Sequence, residues 1–371
     1  MGSVHAIDGN TGRTLWSADV GSPRHPSMPL GLSESRVAVL NGTTLYVLSR
    51  STGQVEFSKS TRGVPIAGAA VTEQAVFVPN AAGQIETYSL VDEDHRNLAN
   101  LRLEGHELTQ PVASRLGVAA TSGRGDLGLA NLSGTDLLFR LPTNYGFTAS
   151  PAAWGSRIYA GNVGGLLFAF DNVGGIEKWS FAAGSAVTQP PVPFADAVYA
   201  LCEDLTMYRV AAESGREEWM AKNVRKFLAT SPTKIYTLDR FGRLAVLSVK
   251  TGALIDLAAI PPFAHAVTNT DTDQIFLATD SGLIQCLHEI ELTKPLDYRP
   301  PKQEEPKKEA PAAKPGSKST TPAPPKAQPP ADASPAAPAP APKPMPAAPV
   351  DDPFGPADAK PAEAGDPFGG N

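Results

Sequence analysis

The residues best equipped for chemistry are few and scattered. His95 and His106 flank a polar stretch carrying Asp92, Glu93, Asp94, Glu104 and Glu107, donor types that together can hold a divalent metal. Their spacing matches no metal-ligand pattern, and a solvated loop is the expectation. Cys202 and Cys286 lie in or beside predicted strands, and a buried free thiol is expected at each. Arg124-Gly125-Asp126 spells a cell-adhesion tripeptide but falls on a predicted glycine turn between strands, which accounts for it. His5, His25, His265 and His288 show no partner pattern. No catalytic, metal or cofactor-binding residue is assigned, and no cofactor is expected.

The elements that would position such groups are set by a repeat. The opening stretch Val4 to Trp16 reads as a strand, a tight turn and a second strand. Asp8 and Thr11 can bond nearby backbone, and Gly12 is free to take positive φ. That chemistry suits a four- or five-residue hairpin with a bulged glycine. The stretch returns with Gly53 and Phe57, with Gly134, with Gly175 and Trp179, with Gly215 and Trp219, and with Gly252. In the Gly252 copy Asp256 takes the aromatic's place, and weaker copies at 85–90 and 283–287 lack the Thr-Gly turn. The interval is about 40 residues, a period typical of four-stranded propeller blades.

A second landmark keeps phase with the first. Prolines at Pro65, Pro111, Pro151, Pro191 and Pro232 each open an apolar segment. Short β-branched and aromatic runs follow, such as Ala75-Val76-Phe77-Val78 and Ala197-Val198-Tyr199-Ala200. Each unit therefore reads as four strands, and no stretch keeps a helical period for the length a helix needs. The fold class predicted is all-β, a propeller of seven or eight four-stranded blades. The first copy supplies only third and fourth strands and the last, from Phe263 to Leu287, only the first three; eight blades is the favoured count.

The pattern of Ala6-Ile7-Asp8, Thr11-Gly12 and Trp16 resembles the pyrroloquinoline-quinone-type β-propeller repeat. The likeness covers roughly residues 1 to 290. It implies that Trp16, Phe57, Trp179 and Trp219 pack between neighbouring blades, a structural role. The repeat is shared by quinoprotein dehydrogenases, which are much longer and set an adjacent cysteine pair over the cofactor; this chain has no Cys-Cys. It also resembles the propeller lipoproteins of the bacterial outer-membrane barrel-assembly machine, although no cysteine near the start matches their lipid anchor. The resemblance implies a non-enzymatic scaffold that binds proteins, located in the periplasm or cell envelope. The visible start carries no signal peptide, so a cytoplasmic location is the expectation if that start is genuine. A ligand-sensing propeller is the alternative, with Thr109-Gln110, Thr148 and Thr188-Gln189 lining the ring's channel.

Composition adds limits. The chain has 371 residues and a net charge of -6, which argues against nucleic acid as a partner. No run reaches the roughly 18 apolar residues of a membrane span. A monomeric ring over residues 1–293 is expected. From Lys294 to the C-terminus Pro, Ala and Lys dominate, with more than half of the 36 prolines, a composition that predicts a disordered tail over 294–371. Near its end the tail repeats a short tag, Asp352-Pro353-Phe354-Gly355 and Asp366-Pro367-Phe368-Gly369. Two copies on a flexible chain would give a docking motif avidity for a protein partner; chance repetition in a biased composition is the other reading.

Overall fold

Side chains along a strand point alternately to the two faces of its sheet, and stacking neighbouring sheets buries them. In the computed structural model, residues 2–261, 263, 265–289, 292 and 294–298 are described. The chain divides into two units, Met1–Gln303 and Glu304–Asn371. No residue of the second is among those described, so both Asp-Pro-Phe-Gly tags lie outside them.

The described residues form eight antiparallel sheets and no helix. Blade 1 has two strands, Ser3–Ile7 and Thr14–Asp19, and blade 8 has three, His265–Ala266, Ile275–Ala278 and Ile284–Leu287. Between them stand six four-stranded blades over residues 31–60, 70–102, 112–142, 152–182, 192–221 and 224–258. The all-β propeller predicted from the repeat is the fold observed. Inner strands of successive blades lie side by side around the channel. Blade 1 meets blade 8 through its turn, where the Gln274 Nε2 donates to Asn10 Oδ1 at 3.1 Å.

The core sits between blades. One cluster joins Leu40, Leu45 and Val47 of blade 2 to Val76, Val78 and Tyr88 of blade 3; another joins Leu127 and Leu129 of blade 4 to Ile158, Ala160 and Phe170 of blade 5. Second strands of the four-stranded blades, covered on both faces, are buried along nearly their whole length, as in Ala75–Asn80 and Ala197–Leu201. Outer strands alternate, as in Leu137–Pro142.

The proline landmark holds at three of its five positions, Pro65 standing five residues before the inner strand Ala70–Val71. Pro111, Pro151 and Pro191 each stand immediately before an inner strand, but Pro232 follows the inner strand Val224–Thr230 and sits in the turn after it. Only two residues separate Ala221, where blade 6 ends, from Val224, where blade 7 begins, so no linker remains for a leading proline. Residues assigned by composition to the tail also make contacts with the sheets. The Leu296 amide donates to Asp273 Oδ1 at 2.9 Å, and the Tyr298 hydroxyl donates to Thr230 O at 3.1 Å. The Tyr298 ring stands edge-on to Phe194, with centroids 4.8 Å apart.

Candidate functional site

The repeat residues form one device used at successive blade junctions. In blade 1 the register slips between Ala6 and Ile7, with Ala6 opposite Trp16. The same slip places Val47 opposite Phe57, Ala169 opposite Trp179 and Arg209 opposite Trp219. This bulge aims the aromatic along the ring toward the next blade. There its indole N–H finds a carbonyl in the following turn: Trp16 Nε1 donates to Arg50 O at 2.8 Å, Trp179 Nε1 to Ala212 O at 2.9 Å and Trp219 Nε1 to Val249 O at 2.9 Å. The ring lies flat on that turn's glycine, leaving no room for a side chain. A Cβ on Gly53 would meet Trp16 at 2.4 Å, one on Gly215 would meet Trp179 at 2.6 Å, and one on Gly252 would meet Trp219 at 2.4 Å. These glycines also have φ between 67° and 73°, a conformation that costs other residues strain. So the glycine answers two demands, backbone handedness and the neighbour's ring.

Two further junctions vary the pattern. Phe139 lies on Gly175, where a Cβ would meet it at 2.7 Å; its own turn glycine is Gly134, five residues earlier rather than four. That extra residue hid Phe139 from a search on fixed spacing. Blade 3 lacks the turn glycine, and His95 stands there instead with φ of 44°. Phe57 stacks on its ring, and Lys59 Nζ donates to Asp94 O at 3.1 Å and His95 O at 2.7 Å. The polar stretch is thus a junction, and among the described residues no group of three or more His, Cys, Asp or Glu could hold a metal ion.

Other singled-out residues also resolve. Asp126 is 2% exposed, accepting from the Glu104 amide at 2.6 Å and pairing with Arg140 Nε at 2.6 Å; its carboxylate is closed to an adhesion partner. Cys202 is buried and its thiol is pushed up to about 12, by burial first and Asp204 second. Cys286, expected to be buried, is exposed, because its strand Ile284–Leu287 is the last of its sheet and, among the described residues, no fourth strand covers it. Gln110 is a clamp, its Nε2 donating to Leu30 O at 3.1 Å and Ala69 O at 3.3 Å. Thr109 bonds Thr121. Of the candidate channel residues, Gln189 lines a cavity at the ring's centre and donates to Arg225 O at 2.7 Å.

A groove between blades 6 and 7 has a volume of about 490 Å³, with Met220, Lys222, Phe241, Arg243, Leu254 and Leu257 among its lining. Phe241 is 67% exposed and Leu254 59%, and the Arg240 and Arg243 guanidinium carbons lie 4.6 and 5.0 Å from the Phe241 ring centre. Asp239 fixes Arg243 through Nε and Nη2, each at 2.7 Å. Burial pushes the Asp239 pKa up, but hydrogen bonds from the Arg243 amide and guanidinium and from the Phe241 amide hold it below its ordinary value. No sequence signal marks this groove, since its members come from two repeats and no spacing links them. The strand Leu254–Ala258 beside it is exposed throughout, where Asp256 replaces the docking aromatic. Aromatic and arginine side chains framed by apolar surface are the chemistry of protein–protein hot spots.

Comparisons with known proteins agree with this architecture. The model of the family described as outer membrane protein assembly factor BamB matches residues 1–96 and 122–282. No curated protein matches the chain. Among solved structures, BamB from Moraxella catarrhalis superposes with a TM-score of 0.65 at 15% identity, covering 79% of this chain and 90% of that one. The computationally designed Ika8 protein gives 0.63 at 17% identity, covering 78% and 91%. A chain of the mitotic checkpoint complex gives 0.54 at 13% identity, covering 71% and 87%. At these identities the structural likeness is one of fold.

Proposed function

The chain belongs to the family of outer membrane protein assembly factor BamB, and from that premise we propose that it is a non-enzymatic scaffold of the cell envelope that binds proteins. The family match over residues 1–96 and 122–282 is the observation that carries the reading. The described residues supply what a scaffold needs. Aromatic anchors tie blade to blade, so the ring offers a rigid surface that loses little entropy on binding. The groove at Phe241 offers a partner an aromatic anchor, flexible Met220 and two guanidinium groups beside apolar side chains. No described helix is long and apolar enough to cross a membrane.

Photo-crosslinking in the native organism tests the reading. A benzophenone amino acid placed at Phe241 or Met220 should give a discrete adduct with a component of outer-membrane protein assembly, and one placed at Leu15 on blade 1 should not. Absence of adducts from both groove positions would remove the groove from the scaffold reading. Reduction of a redox dye on adding quinone, Ca²⁺ and an alcohol to the purified chain would overturn the non-enzymatic assignment.

A further inference from the structure

A cavity of about 390 Å³ opens at the centre of the ring, and five blades contribute to it. Val112 comes from blade 4, Trp154 from blade 5, Val192 from blade 6, Phe227 from blade 7, and Thr270 from blade 8. Small-molecule sites usually fall between about 300 and 1,000 Å³ and combine apolar walls with a few polar groups. This one fits that description, with prolines and alanines between the larger apolar side chains.

Its charge is the unusual feature. Lys226 is the only charged residue in the lining, which contains no Asp or Glu. The side chain is half-buried, at the second position after Val224 in the inner strand of blade 7. Several other partly buried cations meet a carboxylate: Arg36 with Glu56, Arg157 with Glu213, and Arg209 with Asp196. Among the described residues Lys226 meets no carboxylate, and the charge nearest to it in effect is Arg225, of the same sign. Burial first, and Arg225 second, draw the Lys226 pKa below its ordinary value. Holding an unpaired ammonium in a partly desolvated wall costs stability that an incoming anion would recover.

We propose that this central cavity binds a small organic carboxylate with an apolar or aromatic body, its carboxylate on the Lys226 ammonium and its body against Trp154, Val192 and Phe227. One ammonium calls for one negative charge; a phosphate dianion would leave charge uncompensated among apolar walls. The Gln189 amide nitrogen is committed to Arg225 O, which leaves its carbonyl oxygen and the Thr270 hydroxyl to hydrogen-bond a polar substituent on the body. The inference is independent of the groove between blades 6 and 7, so a scaffold without a ligand and a scaffold with one give different results below.

Trp154 is 40% exposed and lines the cavity, so its fluorescence reports occupancy. The full chain is titrated with N-acetylphenylalanine, with its uncharged amide, and with a hexapeptide ending in phenylalanine with a free carboxylate. The acid should change the emission and bind about tenfold or more tightly than the amide, the usual worth of a hydrogen-bonded ion pair. Trp154→Phe should abolish the signal. Lys226→Met should erase the preference for acid over amide, and Lys226→Arg should retain it. Lys226→Met removes an unpaired, half-buried charge and so should fold at least as well as the parent; the acid should raise the melting temperature of the parent only. If the hexapeptide binds as well as the acid, the carboxylate can come from a chain terminus; if only the small acid binds, it comes from a free molecule. Equal affinity for acid and amide, undiminished acid binding by Lys226→Met, or no response up to about 10 mM of any probe would overturn the proposal.

Discussion

The ring of Phe57 lies 3.9 Å from that of His95, centroid to centroid, with an interplanar angle of 15°. It is the one junction where the aromatic of a repeat meets a side chain in the place of a turn glycine. His95 Nδ1 lies 3.1 Å from Ser89 O, which orients the imidazole under Phe57. Replacing either ring by alanine should lower stability, and a double-mutant cycle in urea should return a coupling of about 1 kcal/mol. A coupling near zero would make the stack incidental. A metal-binding role for His95 would instead show as stabilisation by added Zn²⁺.

The turn glycines separate the two demands placed on them. Gly12 has φ of 69° and an added Cβ would meet nothing within 4 Å, whereas Gly215 has φ of 71° and its Cβ would meet Trp179 at 2.6 Å. Gly12→Ala should cost about 1–2 kcal/mol, the strain of a left-handed residue alone. Gly215→Ala should cost about 1–3 kcal/mol more, because the indole must leave its place. Urea midpoints of the two variants measure the difference.

Glu86 is a buried carboxylate, 1% exposed, that no motif announced. It accepts from the Arg62 amide at 3.0 Å, Asn80 Nδ2 at 2.8 Å, and the Gly63 amide and Tyr88 hydroxyl at 2.5 Å each. Burial, and then Glu86, push the Tyr88 pKa up, keeping the hydroxyl a donor. Glu86→Ala should cost about 3 kcal/mol by orphaning buried donors. Glu86→Gln should also destabilise, since its amide nitrogen would face donors. Chemical denaturation of both variants checks this.

Acid should weaken the contact between blades 7 and 8. Burial would raise the Glu289 pKa, but hydrogen bonds from Tyr236 and Ser231 and the Lys234 ammonium outweigh it and hold the pKa below the ordinary 4.5. A carboxylate with its folded pKa below the unfolded one contributes stability above the unfolded value and loses it as pH falls through the folded value. Melting temperatures should therefore drop between about pH 5 and pH 3. Glu289→Gln should melt lower than the parent at neutral pH and lose less over that interval.

The two thiols should react unequally. Cys286 is exposed, whereas Cys202 is buried with its thiol near 12. A chromogenic disulfide at mildly alkaline pH should label one thiol per folded chain and two in denaturant. Cys286→Ser should remove the fast reaction.

The sequence alone determined the strand-turn-strand unit, its period and the class of fold, because those follow from local chemistry: alternation, turn residues, and a glycine a fixed distance before an aromatic. In the folded ring Trp16, Trp179 and Trp219 each meet the turn of the following blade, a contact that depends on one repeat meeting the next. What the local pattern could not carry was any contact whose partners have no fixed spacing. Phe139 escaped through one added turn residue, Pro232 kept the landmark's phase but not its place, and the burial of Cys286 depended on a neighbouring strand. Glu86, the Phe241 groove and the isolated ammonium of Lys226 are likewise products of tertiary structure. A side chain's electrostatic surroundings are set by residues brought together across blades, and those distances exist only once the ring has formed.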